Sequence, residues 1–309
     1  MLRYTLRQLE YFVAVGETSS IALASEKVNV SSPSISAAIN QLEKEFGLPL
    51  FVRQHARGLT LTLAGRRMME QAKVILREAD TLLDLAGDIS GSVRGPLSIG
   101  CLVTFAQVVL PSVRRSFEDA HPEVRVRQHE LDQSEIFSAL RRSEIDIALT
   151  YDLNLPADLQ FEGILELPPY AVVNETHPLA HLPAVSVEEL KHHPMVLLDL
   201  PFSSDYFLSF FAEADTKPII AERTRDMAVM RSLVANGFGY SIANVRPLND
   251  RSPDGQPLKF IPLAGPVRPM RLGLLMANAA ATAGVVRTFA DHCAERLKDG
   301  ALPGLRSGN

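Results

Sequence analysis

The stretch SIALASEKVNVSSPSISAAINQLEKEFGLPLF, residues 20–51, decides the fold of the N-terminal part of this chain. Its second half repeats apolar residues at the spacing of one helix face, namely Ile35, Ala38, Ile39, Leu42 and Phe46. Ser32 is predicted to be the N-cap of this helix, with Pro33 at the first helical position, and Gly47 marks its end. The opposite side carries small and polar residues, which predicts a face open to a partner.

Two shorter helical segments precede this helix. Residues 6–15 have apolar residues at helical spacing and are predicted to stop at Gly16. A second helix is predicted to be capped by Ser19 or Ser20 and to end near Val28. Two short helices joined by a tight turn are typical of a DNA-reading helix-turn-helix.

A short ribbon after Gly47 is predicted to form a wing. Residues 50–53 and 59–62 are its two strands, with Arg53 and Arg57 near the tip, within reach of phosphates or a minor groove. The residues predicted to contact DNA belong to the turn, the polar helix face and the wing, namely Ser31, Ser32, Pro33, Ser34, Ser36, Ala37, Asn40, Gln41, Lys44, Arg53 and Arg57.

The net charge of −5 hides an uneven distribution. Residues 1–67 contain eight Lys and Arg against five Glu, a net charge of +3, and the remainder therefore carries −8. A basic segment on an acidic body indicates that the N-terminal end meets a polyanion, which double-stranded DNA satisfies.

Residues 62–89 contain no proline and are predicted to form one long helix. Apolar residues alternate along it by four and three, namely Met68, Ala72, Ile75, Ala79, Leu82, Ala86 and Ile89. We predict that this heptad pattern is the seam of a dimer. A second stripe braces the helix-turn-helix, namely Met69, Leu76 and Leu83. A bundle helix within one chain is the alternative.

Strand-like and helical runs alternate beyond this helix, which is the rhythm of βαβ units in an α/β fold. One of the helical runs is predicted at residues 105–117. The predicted organisation is a DNA-binding domain at 1–61, the linker helix at 62–89, a hinge at 90–95, lobe one at 96–165 and 266–300, lobe two at 166–265 and a tail at 301–309. Ligands of such folds bind at the carboxyl ends of strands, here in the cleft between the lobes.

These features together resemble the LysR-type transcriptional regulators. The N-terminal match is the more specific, with LRQLEYFVAV at 6–15, the stretch quoted above and GLTLTLAG at 58–65. Looser matches follow in the expected order, with LSIG at 97–100, VVLP at 108–111, SEIDIALT at 143–150 and LVANGFGYSIAN at 233–244. The resemblance implies a winged helix-turn-helix, a long dimerising linker helix and a two-lobed, periplasmic-binding-protein-like effector domain, assembled as a dimer or a tetramer.

The chain departs from the family pattern at two positions of the DNA-reading helix. Many members have Gln where this chain has Ser32, and a basic residue is common where it has Ala37. We therefore expect Ser34, Ser36 and Asn40, the wing arginines and DNA shape to carry more of the recognition.

A small-molecule effector is predicted to bind in the cleft between the lobes. The candidate residues stand at strand ends and turns, namely Cys101, Val103, Thr104, Tyr151, Asp152, Phe202, Ser203, Ser204, Arg225, Asn244 and Arg246. Arg225 and Arg246 could pair with a carboxylate, which favours an anionic effector, although either could equally be part of a surface ion pair. Thr104 and Ser203 are predicted to face each other across the cleft, although both could instead only cap helices.

Other functional classes have little support in the sequence. Motifs of catalysis such as GxxxxGK[ST], HExxH and GxSxG are absent, so no catalytic residue, cofactor or metal is predicted. The adjacent His192 and His193 are interpreted as solvated surface. A solute-binding or enzymatic α/β protein with an accessory helical domain is the alternative function. Within the family, a thiol redox sensor through Cys101 is another, although Cys293 is distant in sequence.

The apolar runs are too short for a membrane helix, which needs about 20 residues, so no membrane association is predicted. We predict a cytoplasmic, ligand-responsive regulator that binds double-stranded DNA and a small-molecule effector. It is expected to self-associate as a dimer or tetramer and, if it is an activator, to contact RNA polymerase.

Overall fold

The computed structural model describes residues 3–54, 58–90, 93–277 and 284–298. The chain divides into two compact units, Met1–Gly91 and Ser92–Asn309. The predicted tail at 301–309 lies outside the described residues. No helix in these described ranges is long and apolar enough to cross a membrane.

The N-terminal unit is a winged helix-turn-helix followed by one long helix. Its elements are α1 (Leu6–Thr18), α2 (Ile21–Val28), α3 (Ser32–Phe46), β1 (Phe51–Gln54), β2 (Gly58–Leu61) and α4 (Leu63–Ser90). Ser20 caps α2, and Gly47 ends α3 in the left-handed conformation that glycine adopts most readily. The predicted N-cap of α3 was wrong by one residue, because Ser31 is the N-cap and Ser32 is already helical.

Gly16 does not end α1, which continues to Thr18. A Cβ atom at Gly16 would lie 2.3 Å from the Sδ of Met69 in α4. The glycine therefore permits close approach of α1 and α4, and this contact between distant segments keeps a residue of low helix propensity inside a helix.

Glu17 joins three helices of this unit. Its carboxylate lies 2.6 Å from the Lys27 ammonium of α2 and 2.9 Å from the Lys73 ammonium of α4. Partial burial raises the pKa of Glu17, but the hydrogen bonds from both lysines outweigh this effect and hold the pKa below its ordinary value.

Replacing Glu17 by Gln is expected to destabilise the protein at pH 7 by about 0.5–1 kcal/mol, a small figure because the three side chains are partly exposed. The folded pKa is depressed, so this stabilisation is present above the ordinary Glu pKa of about 4.3 and is lost as pH falls through the folded pKa. Thermal unfolding of both proteins at pH 7 and pH 3 measures the difference, with the exposed Glu10→Gln as control. An equal difference at both pH values would contradict the assignment.

Only part of the predicted heptad seam on α4 is available to a partner. Met68, Ala72 and Ile75 pack against the core of their own unit, and Ala72 is 3% exposed. This half of the seam braces the helix-turn-helix, a role the sequence analysis gave to the second stripe alone. Leu82 is 68% exposed and continues the pattern. The side chains of Leu83, Ala86 and Ile89 lie outside the described part.

Lobe one of the C-terminal unit is a five-stranded sheet with helices. Its strands are β3 (Gly95–Leu102), β4 (Val124–Leu131), β5 (Ile147–Tyr151), β6 (Leu159–Leu167) and β12 (Met270–Ala277), in the order β4-β3-β5-β12-β6. Its helices are α5 (Val103–Ala106), α6 (Leu110–Ala120), α7 (Gln133–Arg142) and α11 (Gly284–Lys298). Strands β3, β4 and β5 are parallel, while β12 is antiparallel to β5 and β6.

The prediction of one continuous helix at 105–117 is wrong, because the chain forms two helices there, α5 and α6. Pro111 stands at the first turn of α6. A proline inside a continuous helix would remove a backbone hydrogen bond and clash with the preceding turn, so the chain ends one helix and begins another.

Lobe two contains two small sheets. The strands are β7 (Tyr170–Asn174), β8 (Pro194–Leu198), β9 (Ile219–Thr224), β10 (Ser241–Ala243) and β11 (Leu258–Pro262). Their orders are β10-β7-β11, antiparallel, and β8-β9, parallel. The helices are α8 (Val187–Leu190), α9 (Ser203–Glu213) and α10 (Met227–Ala235). The chain passes from the five-stranded sheet to these two sheets between β6 and β7 and returns between β11 and β12.

Candidate functional site

The predicted DNA-reading face of α3 is accessible to a partner. Among its residues Ser34, Ala37, Asn40, Gln41 and Lys44 are exposed, whereas the apolar stripe on the other side is packed into the core. Ser31 and Pro33 are exposed as well, and Ser32 and Ser36 are partly buried. Helix α3 thus has one face packed in the core and one face exposed to a partner.

Hydrogen bonds within the turn and the helix fix several of these side chains. The Ser32 hydroxyl donates to Ser25 of α2 at 3.2 Å, and the Ser31 and Ser34 hydroxyls lie 2.9 Å apart. The Gln41 amide donates to Glu45 at 3.1 Å. Asn40 and Lys44, one turn apart on α3, are exposed and available to a partner.

Glu43 anchors the wing to α3, a role that the sequence analysis missed. One oxygen of its carboxylate accepts hydrogen bonds from the Leu50 N–H at 2.7 Å and the Phe51 N–H at 3.2 Å. In the wing itself Arg53 pairs with Leu59, while Arg57 lies outside the described residues. A carboxylate on a polar helix face resembles any solvated residue in sequence, so only the fold reveals this contact.

An ion pair joins the two lobes at the predicted cleft. The Arg225 guanidinium of lobe two donates to the Asp132 carboxylate of lobe one at 2.8 Å. Asp132 is also the N-cap of α7 and forms a capping box with Glu135. The DQSE spacing of that box is visible in the sequence, but its partner across the cleft is not.

Polar side chains of both lobes also meet around Asn244 and Tyr206. Asn244, at the end of β10, donates to the Leu167 carbonyl at 2.7 Å and to the Tyr206 hydroxyl at 3.1 Å. Burial raises the pKa of Tyr206 to about 12, so the phenol stays protonated and donates to the Arg268 carbonyl. Burial also raises the pKa of Tyr151, and the neighbouring Tyr206 phenol adds to the effect.

Two buried polar atoms of this junction have no hydrogen-bond partner among the described residues. They are the Oδ1 atom of Asn244 and the Oγ1 atom of Thr104. The neighbouring Tyr151 phenol interacts with the Thr104 side chain, which lowers the pKa of Tyr151 against the larger effect of burial. Buried polar groups are normally satisfied, so these atoms are candidates for contact with a ligand.

The turn before α9 brings Phe202, Ser203 and Ser204 toward lobe one. The Phe202 ring lies 5.8 Å from the Phe137 ring of α7. Phe202 has φ 64°, a left-handed conformation that is rare for a bulky residue. Ser203 is 5% exposed, and Ser204 donates to the Leu200 carbonyl at 3.2 Å; neither serine caps α9, whose N-cap residue is Phe202.

Asp152 and Val103 lie at strand ends of lobe one. The Asp152 carboxylate accepts from the Arg271 N–H at 2.9 Å and lies 3.7 Å from the Arg268 guanidinium. Val103 is the first residue of α5 and is partly buried. Asp152 therefore fixes the position of the segment between β11 and β12, by which the chain returns from lobe two to lobe one.

Cys101 belongs to the core of lobe one and does not line the cleft. It is fully buried, and its alternation with Ile99 along β3 places it among core residues. Helix α11 brings Cys293 into its neighbourhood, a proximity that the distance in sequence concealed. Burial raises the pKa of both thiols, so both stay protonated, a state that does not favour the thiol redox sensor.

Arg246 stacks on two aromatic rings of lobe two. Its guanidinium lies 5.9 Å from the centroid of the Tyr170 ring and 5.5 Å from that of Phe260. Cation–π contacts of this kind explain its position without a carboxylate partner. Of the two arginines predicted to bind an anion, Arg225 is paired with Asp132 and Arg246 is stacked on aromatic rings.

Comparison with known proteins decides the class. A model of bacterial regulatory helix-turn-helix proteins of the lysR family matches residues 6–66, and the LysR substrate-binding-domain model matches residues 90–298. The chain belongs to the LysR family of transcriptional regulators. As a LysR-type protein it is a regulator with a DNA-binding and an effector-binding domain, and the enzymatic or solute-binding alternative is not favoured.

The chain aligns with individual LysR-type proteins over most of its length. HinK from Pseudomonas aeruginosa, a LysR family regulator of known crystal structure, is 34% identical, with coverage of 96% of this chain and 99% of HinK and a TM-score of 0.65. CysB from Haemophilus influenzae is 29% identical over 77% of this chain and 74% of CysB. CbnR in complex with its target DNA, at 22% identity, 93% and 98% coverage and a TM-score of 0.65, shares the fold.

Proposed function

We propose that this LysR-type regulator binds an imperfect DNA palindrome as a dimer or tetramer. When a small molecule binds between its lobes, the protein dissociates from this DNA or changes its position on it. The observation that carries the DNA-binding part is the exposed polar face of α3, which has no packing role in its own domain. The protein acts in the cytoplasm, where the DNA is, and contacts RNA polymerase if it is an activator.

Asn40 and Lys44 are proposed to have different roles on DNA. An Asn amide can bond an adenine edge in two places, so Asn40→Ala is expected to cost about 1–3 kcal/mol at one base position of each half-site. Lys44→Gln is expected to weaken binding to all sequences and to flatten the slope of log K against log salt by about 1. Fluorescence anisotropy with operator and mismatched DNA at several salt concentrations measures both effects.

The exposed Lys259 in lobe two supplies a control for charge, since Lys259→Gln removes the same charge from another domain. For the Lys259→Gln protein the slope of log K against log salt should equal that of the wild-type protein. The assignment of α3 is wrong if Asn40→Ala changes no base preference and Lys44→Gln leaves the slope unchanged.

The effector is proposed to bind at the junction of the lobes, beside Thr104, Tyr151, Tyr206 and Asn244. The two unpartnered buried oxygens support this, because a ligand hydrogen-bond donor there would satisfy atoms that the protein leaves unpaired. An anionic effector that used Arg225 would first have to displace Asp132.

The ion pair between Arg225 and Asp132 is proposed to favour the closed arrangement of the lobes. Arg225→Gln is expected to shift the equilibrium toward open lobes by about two- to fivefold, since a partly exposed pair contributes about 0.5–1 kcal/mol. Hydrogen exchange at the amides of residues 202–204, the turn whose Phe202 ring meets Phe137 of lobe one, should accelerate by up to the same factor.

Arg223→Gln is the matched control for this change, because Arg223 pairs with Asp199 at 3.0 Å inside lobe two. Its loss should leave lobe opening unchanged. Equal acceleration in the two variants would show that the pair to Asp132 has no special role in closure.

A further inference from the structure

A cavity of about 260 Å³ lies where the lobes meet along α9. Leu153 and Asn154 of lobe one form one side, and Arg268 of the segment between β11 and β12 closes an end. Helix α9 and the residue before it form the remaining wall. The cavity therefore has contributions from both lobes and from a segment that connects them, so a ligand bound there contacts parts that move relative to each other when the lobes open.

One side of the α9 wall is aromatic. Phe202, Tyr206 and Phe210 follow one another at intervals of four residues, and the rings of Tyr206 and Phe210 lie 4.8 Å apart. The Arg268 guanidinium already lies 5.8 Å from the centroid of the Tyr206 ring. Tyr206 and Phe210 are 6% and 4% exposed and Phe202 is partly buried, so the wall is an apolar surface against which the body of a ligand can pack.

The neighbouring side of the same wall is acidic. Asp205, Ser209 and Glu213 form the adjacent stripe of α9, again at intervals of four residues. Among the described residues Asp205 and Glu213 form no ion pair or hydrogen bond through their carboxylates. The Arg268 guanidinium does not neutralise them, because its ion-pair partner is Asp152.

We propose that this cavity binds a small organic cation, whose ammonium group pairs with Asp205 or Glu213 and whose apolar body packs on the three aromatic rings. Size supports a compact ligand, since the cavity is slightly smaller than the usual small-molecule site of about 300–1,000 Å³. The charges of the lining residues Asp205, Glu213 and Arg268 sum to −1, which favours a cation over an anion. The proposal goes beyond the proposed effector site, because the cavity shares Tyr206 with that junction but is not lined by Thr104, Tyr151 or Asn244.

Calorimetric titration of the full-length protein tests the charge preference. The probes share a phenyl ring and a short chain and differ in charge: 2-phenylethylamine, 2-phenylethanol and 3-phenylpropanoate. The amine is expected to bind about tenfold or more tightly than the alcohol, and the carboxylate more weakly than either. The double change Asp205→Asn and Glu213→Gln should remove the preference for the amine.

Glu222→Gln is the control, since Glu222 is an exposed acid of lobe two that does not line the cavity. It should bind the amine like the wild-type protein. Both acids of the test variant are exposed helix positions, and unchanged thermal unfolding checks that the fold persists. An amine that binds no better than the alcohol, or not at all, overturns the proposal, as does tighter binding of the carboxylate.

DNA binding measured on the same samples separates this proposal from the proposed function. Amine binding to a protein with no sequence-specific DNA binding would overturn the regulator function and support the cavity assignment. Specific DNA binding together with no preference for the amine would support the regulator function and overturn the cavity assignment.

Discussion

Replacing Leu82 by Glu is expected to convert the protein to a monomer and to weaken operator binding by about 100-fold or more. Leu82 is an apolar side chain, 68% exposed on α4, where the predicted heptad pattern continues beyond the part packed against its own domain. A carboxylate in a dimer seam would be buried beside its symmetry mate without a partner. Two linked DNA-binding domains bind DNA far more tightly than one, so loss of the dimer removes this gain in affinity.

Leu63→Glu is a matched control, because Leu63 is 72% exposed on the same helix but stands outside the heptad pattern. Sedimentation equilibrium and anisotropy with operator DNA measure the two effects. Ile75 is not suitable for this test, since it packs against its own domain and its replacement would disturb the fold. A Leu82→Glu protein that stays dimeric and binds like the wild type would show that the seam lies elsewhere.

Replacing Thr104 by Val is expected to leave stability unchanged or slightly higher while it weakens effector binding by about 1–3 kcal/mol. The Thr104 hydroxyl is buried and its only polar neighbour of note among the described residues is the Tyr151 phenol, so its removal costs the free protein little. A bound effector that satisfies this oxygen loses that hydrogen bond in the variant. DNA binding without effector should be unchanged, because the substitution lies in the other domain.

Thr150→Val is the matched control. Thr150 is fully buried too, but its hydroxyl donates to Gln133 at 2.6 Å, so this change is expected to cost about 1–3 kcal/mol of stability. Thermal unfolding of both variants, with and without a ligand that stabilises the wild-type protein, measures both effects. If Thr104→Val destabilises the protein as much as Thr150→Val does, the hydroxyl has a structural partner and is not reserved for a ligand.

The helix-turn-helix could be predicted closely from the sequence because its signals are local. The apolar period of α3, the capping serine of α2 and the glycine after α3 lie within a few residues of the elements they define. Gly16 was misinterpreted as a helix end, because the feature that favours glycine there is the approach of Met69, which is distant in sequence.

The candidate effector site could be predicted only in outline. Strand ends make Thr104 and Asn244 candidates, since ligands of α/β folds bind at such ends. The pairing of Arg225 with Asp132 and the place of Cys101 in the core depend on how segments distant in sequence pack together. Single-sequence patterns do not contain that information.

Selection of DNA from a random library by the full-length protein tests the central claim most directly. The claim is that the exposed face of α3, paired by α4, reads two related half-sites. The expected result is enrichment of an imperfect inverted repeat whose half-sites are separated by whole turns of the double helix. Recovery of no motif, or of one asymmetric motif that a monomer binds equally well, would contradict it.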